Sequence, residues 1–155
     1  MTTPRSLANQ KLYHARILAE SWRREMAEEV VPAGVLAGAF EPACRLHLRR
    51  AYGWFLLEII EVAEMPELPP ENCEHLPAIA AGKALPGEVR ELQQLERQGW
   101  LAELLSDREP PMSAVRPATS LAQPIRDIVG PDDIDRWIEL LTNIFDRMAD
   151  SLDEY

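Results

Sequence analysis

The stretch Phe40–Glu64, FEPACRLHLRRAYGWFLLEIIEVAE, decides the fold class of this chain. Phe40, Cys44, Leu48, Ala51, Phe55, Ile59 and Val62 recur at intervals of three and four, which brings side chains onto one face of an α-helix. Leu46, Tyr52, Leu56, Leu57 and Ile60 make that face wider than one neighbouring element can cover. The spacing predicts a helix over 40–64 at the centre of a helical core. Pro42 fits its first turn, where a missing N–H is tolerated. Gly53 lies in its interior and costs about 1 kcal/mol against alanine; a close helix crossing would account for it.

Three further helices are expected around this one. The first runs over 6–30, with Ser6 as N-cap, Pro4 just outside, and a core stripe of Ala8, Leu12, Ala15, Ala19, Trp22 and Met26. Pro32 and Gly34 end it, and AGVLAGAF then reads as a loop or a single turn. Another spans 87–106, where Gly99 and Trp100 shift the phase midway and predict a kink or two shorter pieces. The last begins near Pro131–Asp133, whose acids suit the positive end of the helix dipole. Its stripe is Ile134, Trp137, Leu141, Ile144, Met148 and Leu152. Between these lie two proline-rich connectors, 65–87 and 107–130. A short helix around 73–83 is expected in the first, and Leu121, Ile125, Ile128 and Val129 anchor the second. The fold class that follows is all-α: one helical domain over residues 1–155, a bundle of about four main helices plus short ones.

Composition narrows the function classes. The chain has 155 residues, 46% hydrophobic and 27% charged, as a single globular domain would. Its net charge of −10 argues against nucleic acid or an anionic membrane as a partner. No apolar run is long enough to span a bilayer: Glu58 and Glu61 interrupt FLLEIIEVA. The opening MTTPRSLANQKLYH lacks a secretory core, so a cytoplasmic location is expected. Residues 1–53 hold eight basic and five acidic side chains, +3, and residues 54–155 hold eight against twenty-one, −13. The N-terminal helices are therefore expected to pair with acidic C-terminal ones, either within one chain or head to tail between copies. Cys44 and Cys73 lack metal-type spacing and read as free thiols, Cys44 buried.

Several stretches resemble a known family: NQKLY (Asn9–Tyr13), ESWRRE (Glu20–Glu25), ACRLHLRRAYGWFLLEI in the central helix, and the closing run WIELLTNIFDRM (Trp137–Met148). They are similar to an uncharacterised pseudomonad all-helical family of unknown function. The likeness covers the first third and roughly the last tenth of the chain and leaves out the proline-rich middle. It implies a bacterial, cytoplasmic, all-helical protein. The family has no established activity, so no catalytic residue carries over.

Chemical signatures are sparse. His14, His47 and His75 are the three histidines. Helical bundles build metal sites from inward histidines and carboxylates, and His47 and Glu58, eleven apart, share nearly one azimuth. His14, His47 and Glu58 are thus the candidate metal or small-ligand residues of an enzyme or sensor. There is no Glu-x-x-His or His-x-x-x-His to support them, and His75 falls in a connector. Cys44 and His47, three apart, are neighbours on a helix, but Cys44 sits on the apolar stripe, where a thiolate is not favoured. Arg45, Arg49 and Arg50 read as a solvated face. The four tryptophans, Trp22, Trp54, Trp100 and Trp137, fall one per main helix and read as core or core edge. Trp54 flanks the stripe, so His47, Trp54 and Glu61 are the candidate interaction residues if they face outward together. The expected role is a non-catalytic protein-interaction or structural module without a cofactor, acting as a homodimer or with another protein. The alternative is the metal- or ligand-binding bundle.

Overall fold

A computed structural model describes residues 2–77, 86–106 and 129–154. Among these residues there are five α-helices, one 3-10 turn and no strand. Helix α1 covers Pro4–Glu28. Its N-cap is Thr3 rather than Ser6. The Thr3 hydroxyl accepts the Ser6 N–H at 3.1 Å, and the Ser6 hydroxyl accepts the Thr3 N–H at 3.0 Å. This reciprocal box satisfies two N–H groups that the first turn leaves without helical partners. Pro4 is consequently the first helical residue and lies inside the helix.

Helix α2 covers Ala33–Ile59, so it starts seven residues before the expected point and ends five before it. The run AGVLAGAF is helical, because Leu36 and Ala37 bury against the core and Pro32 sets the entry. Pro42 is therefore an interior residue and has no N–H to give the Gly38 carbonyl. At the far end Glu61 adopts a left-handed φ of 50°. The Glu61 N–H reaches the Glu58 carbonyl and the Val62 N–H reaches that of Leu57, both at 3.2 Å. That is the double bond of a Schellman stop, with Val62 turned back onto the core.

Among its described residues the first connector carries a 3-10 turn, Cys73–His75, within the expected 73–83; residues 78–85 lie outside the described ones. Helices α3, Gly87–Arg97, and α4, Trp100–Leu105, are the two short pieces expected over 87–106. Gly99 breaks them at φ 104°, a conformation that side-chain-bearing residues rarely take. Helix α5, Pro131–Asp153, opens with the Gly130 N–H bonded to the Asp133 carboxylate at 2.8 Å. Of the residues expected to anchor the second connector, Val129 packs on the core; Leu121, Ile125 and Ile128 lie outside the described residues.

Helices α1 and α2 form an antiparallel hairpin, α5 packs against both, and α3 and α4 pack on α2. Helix α2 thus touches every other helix, which is why its apolar face is so wide. Leu48, Tyr52, Phe55, Leu56 and Leu57 are all essentially inaccessible, and each aliphatic or Phe side chain contributes about 1.5–3 kcal/mol by burial. Phe55 stacks on Phe145 of α5 at 3.9 Å, and Trp22 of α1 on Phe40 at 5.9 Å. In α5 the buried residues also include Ile138, Phe145 and Ala149, whereas Ile144 and Leu152 are only half-buried. The stripe is broader than expected because α5 meets two helices. The opposite-charge expectation has an intramolecular instance: Arg23 of α1 pairs with Asp132 at 2.6 Å and with Asp135, both at the start of α5.

Gly53 does accommodate a close approach, but of the connector rather than a helix. A Cβ there would stand 2.2 Å from the Pro70 carbonyl oxygen and 2.9 Å from the Pro69 Cβ. The proline pair lies directly on the α2 backbone.

Candidate functional site

Residues that can carry chemistry lie at three places on α2. The first is its middle, where the polar residues hold other elements. Arg45 is buried and bonds the Glu41 carboxylate at 3.1 Å. It also donates to the carbonyls of Glu103 at 2.8 Å and Leu104 at 3.2 Å, and its guanidinium lies 4.9 Å from the Trp137 ring centroid. Arg49 donates to the carbonyls of Leu104, Leu105 and Ser106 at 3.3, 3.3 and 2.5 Å. These carbonyls lie at the C-terminal end of α4, where only that of Glu103 also takes a backbone N–H, from Ser106 at 3.3 Å, so two cations close the negative end of a helix. The solvated-face reading fails for Arg45 and Arg49. The spacing Glu41, Arg45, Arg49 repeats every fourth residue beside the apolar stripe, and that was the available signal.

The second place is the seam between α2, the 3-10 turn and α3. The Tyr52 hydroxyl donates to Glu96 at 2.5 Å, the Cys73 N–H bonds the same oxygen at 2.9 Å, and the Cys73 sulfur lies 3.6 Å from the hydroxyl. Burial, then the bond to Glu96, push the Tyr52 hydroxyl above its usual range, so it stays protonated as a donor. Burial also pushes the Cys73 thiol up to about 12. Cys44 is pushed up to about 12 as well, by burial first and then by the charges of Asp135 and Glu41. Both cysteines are free thiols and Cys44 is buried, as expected; Cys73 is buried as well. Cys44 and His47 are one turn apart, yet Cys44 is fully buried while His47 is half-exposed.

The third place is the outer side of the α1–α2 hairpin. Here His14 and His47 meet edge to face, ring centroids 5.2 Å apart at 73°. The His47 Nδ1 is buried and has no hydrogen-bond partner. Burial, then Lys11, His14 and Arg50, hold the His47 pKa below the ordinary histidine value. Glu58 does not join them: eleven residues along a helix is about 16 Å, so a shared azimuth leaves it three turns away. His75 is exposed on the 3-10 turn. Among the described residues no three His, Cys, Asp or Glu side chains are grouped to hold a metal ion, and the cations beside the histidines oppose one.

Of the expected interaction residues, His47 is half-exposed but Trp54 is buried at 6% exposure. Glu61 is exposed and belongs to the stop of α2. The three do not present a common outward surface. Trp22 and Trp137 are also buried and Trp100 half-buried, so the tryptophans serve the core. Large apolar side chains are instead exposed beside the histidines: Tyr13 and Ile17 on α1 and Leu46 on α2. Leu46 also lines a groove of about 270 Å³ with Arg50, Leu68, Pro69 and Pro70.

No helix among the described residues is long and apolar enough to cross a membrane. No curated protein and no solved structure matches the chain. The sequence pattern of one family does match, over residues 1–129. That span includes the proline-rich middle, which the resemblance left out, and stops before α5. The chain therefore belongs to the family described as a family of unknown function, DUF6586.

Proposed function

We propose that the protein is a non-catalytic interaction module that presents the outer side of the α1–α2 hairpin to another polypeptide, a second copy of the chain included. The observation that carries this reading is the exposure of Tyr13 (59%), Ile17 (42%) and Leu46 (45%) around the His14–His47 contact. Tyr13 and Ile17 are one turn apart on α1, and Leu46 directly precedes His47 on α2. Leu68, exposed at 65%, continues the apolar surface across the groove it shares with Leu46. Large apolar side chains left exposed beside polar groups are a usual mark of a protein contact. A non-catalytic role is supported by the engagement of Cys44, Tyr52, Cys73, Glu96 and Arg45 in holding the fold. The same reading places the module in the cytoplasm, where two buried free thiols stay reduced.

The test is a photoreactive residue at Leu46, with one at the exposed α5 position Asp150 for comparison, in the cells that make the protein. Defined polypeptide adducts are expected at Leu46 and not at Asp150. An unmodified chain at Leu46, or the same adducts at both positions, overturns the reading.

A further inference from the structure

Four basic side chains meet on the outer side of the hairpin, and among the described residues none of them is in an ion pair. The contacts of His14 with His47 and of Trp22 with Phe40 fix the antiparallel register of α1 and α2. Lys11 lies one turn before His14 and Arg50 one turn after His47, so the register sets Lys11 opposite Arg50. All four are half-buried. Among the described residues none of the four side chains makes a hydrogen bond or ion pair, whereas Arg23, Arg45, Arg49 and Arg147 all do. Of the described acidic residues, Glu71 lines the groove beside Arg50, and no ion pair joins the two. The like charges of Lys11 and Arg50, brought together across two packed helices, repel each other unless an anion lies between them.

We infer that Lys11, His14, His47 and Arg50 form a binding site for a phosphate monoester group. The donors approach from two helices, which suits a tetrahedral group with three strong acceptor oxygens and a charge near −2 better than a planar carboxylate with two. The buried, unpartnered His47 Nδ1 assigns the hydrogen of the neutral ring to Nε2, because an N–H on Nδ1 would have no acceptor. The neutral ring thus offers its donor from the other edge. The charged groups acting on His47 are Lys11 and His14 across the hairpin and Arg50 on its own helix, and each resists its protonation. A bound dianion reverses that field, so binding raises the pKa of His47. The inference does not rest on the interaction reading, since it needs no polypeptide.

The experiment follows the ring resonances of His14 and His47 in the full-length protein at constant ionic strength and neutral pH. The probes are inorganic phosphate, glycerol 3-phosphate and a phosphoserine peptide, with acetate as the carboxylate control. Saturable shifts of both rings with the phosphate probes are expected, together with an upward-moved His47 titration. Tighter binding of glycerol 3-phosphate or of the peptide identifies a small metabolite or a phosphorylated side chain as the source of the group. Lys11→Gln and Arg50→Gln should each weaken binding about tenfold, the loss of one charge-assisted bond, and Lys11→Arg should retain it. Unsaturable shifts, equal shifts with acetate, or unchanged affinity in both glutamine variants overturns the inference.

Discussion

Replacing Gly53 by alanine should destabilise the protein although the site lies inside a helix. In a helix interior the change by itself stabilises by about 1 kcal/mol. Against that stands the connector. The added methyl would sit 2.2 Å from the Pro70 carbonyl oxygen, a backbone atom, and 2.9 Å from Pro69. Ordinary contact of such atoms is about 3.5 Å, so the proline pair must retreat by about 1 Å. Overpacking of this kind costs about 1–3 kcal/mol. The retreat also pulls on Cys73, three residues on, whose N–H bonds Glu96 at 2.9 Å, at a further cost of about 1 kcal/mol. The net loss is about 1–3 kcal/mol. Gly38 is the control in the same helix, because a methyl there meets nothing within 4 Å and should stabilise by up to about 1 kcal/mol. Urea unfolding of both variants reads the difference directly. In thermal melts each kcal/mol should appear as about 2–4 °C for a chain of this length. A Gly53→Ala protein as stable as Gly38→Ala would refute the close approach of the connector.

Three more outcomes follow from the same contacts. Arg45→Met should cost about 3–5 kcal/mol in urea unfolding, because it leaves the Glu41 carboxylate buried without its partner; adding Glu41→Leu should recover most of that loss, and no recovery would sink the pairing argument. Cys44 and Cys73, both pushed up to about 12 by burial, should react with a thiol reagent at mildly alkaline pH only after denaturant is added, so rapid native labelling would contradict their burial. His47 titrates below the ordinary histidine value in the folded protein, so in acid the unfolded chain takes up a proton that the folded one resists. Its contribution is therefore present at neutral pH and lost as pH falls through the folded pKa. In phosphate-free buffer His47→Gln should make stability less dependent on pH between about 7 and 5, and an unchanged profile would count against it.

Much of the architecture was readable from spacing. The broad face of 40–64 pointed to a helix surrounded by others, and α2 does touch the other four. Gly99 marked the break between α3 and α4, and Pro131 with its acids marked the start of α5. The errors fall where local rules give way to packing. Pro42 reads as a first-turn residue, yet Leu36 and Ala37 bury against the core and hold the preceding turns helical. Less of the site was legible. His14 and His47 do come together, but helical azimuth carries no axial distance, and Glu58, which shares the azimuth of His47, stands three turns away. Trp54 looked peripheral to the stripe and is covered all the same.

Helical periodicity is a property of neighbouring residues along the chain, so the sequence by itself determined that the protein is an all-helical bundle with α2 at its centre. Which side chain of one helix meets which of another depends on register and crossing, and only the tertiary structure decided that. It turned Arg45 and Arg49 from an apparent surface face into the clamp on the end of α4. It also set Lys11 and His14 against His47 and Arg50. Neither pair stands out from the spacing on its own helix, and together they gather basic side chains in a chain that is otherwise strongly acidic.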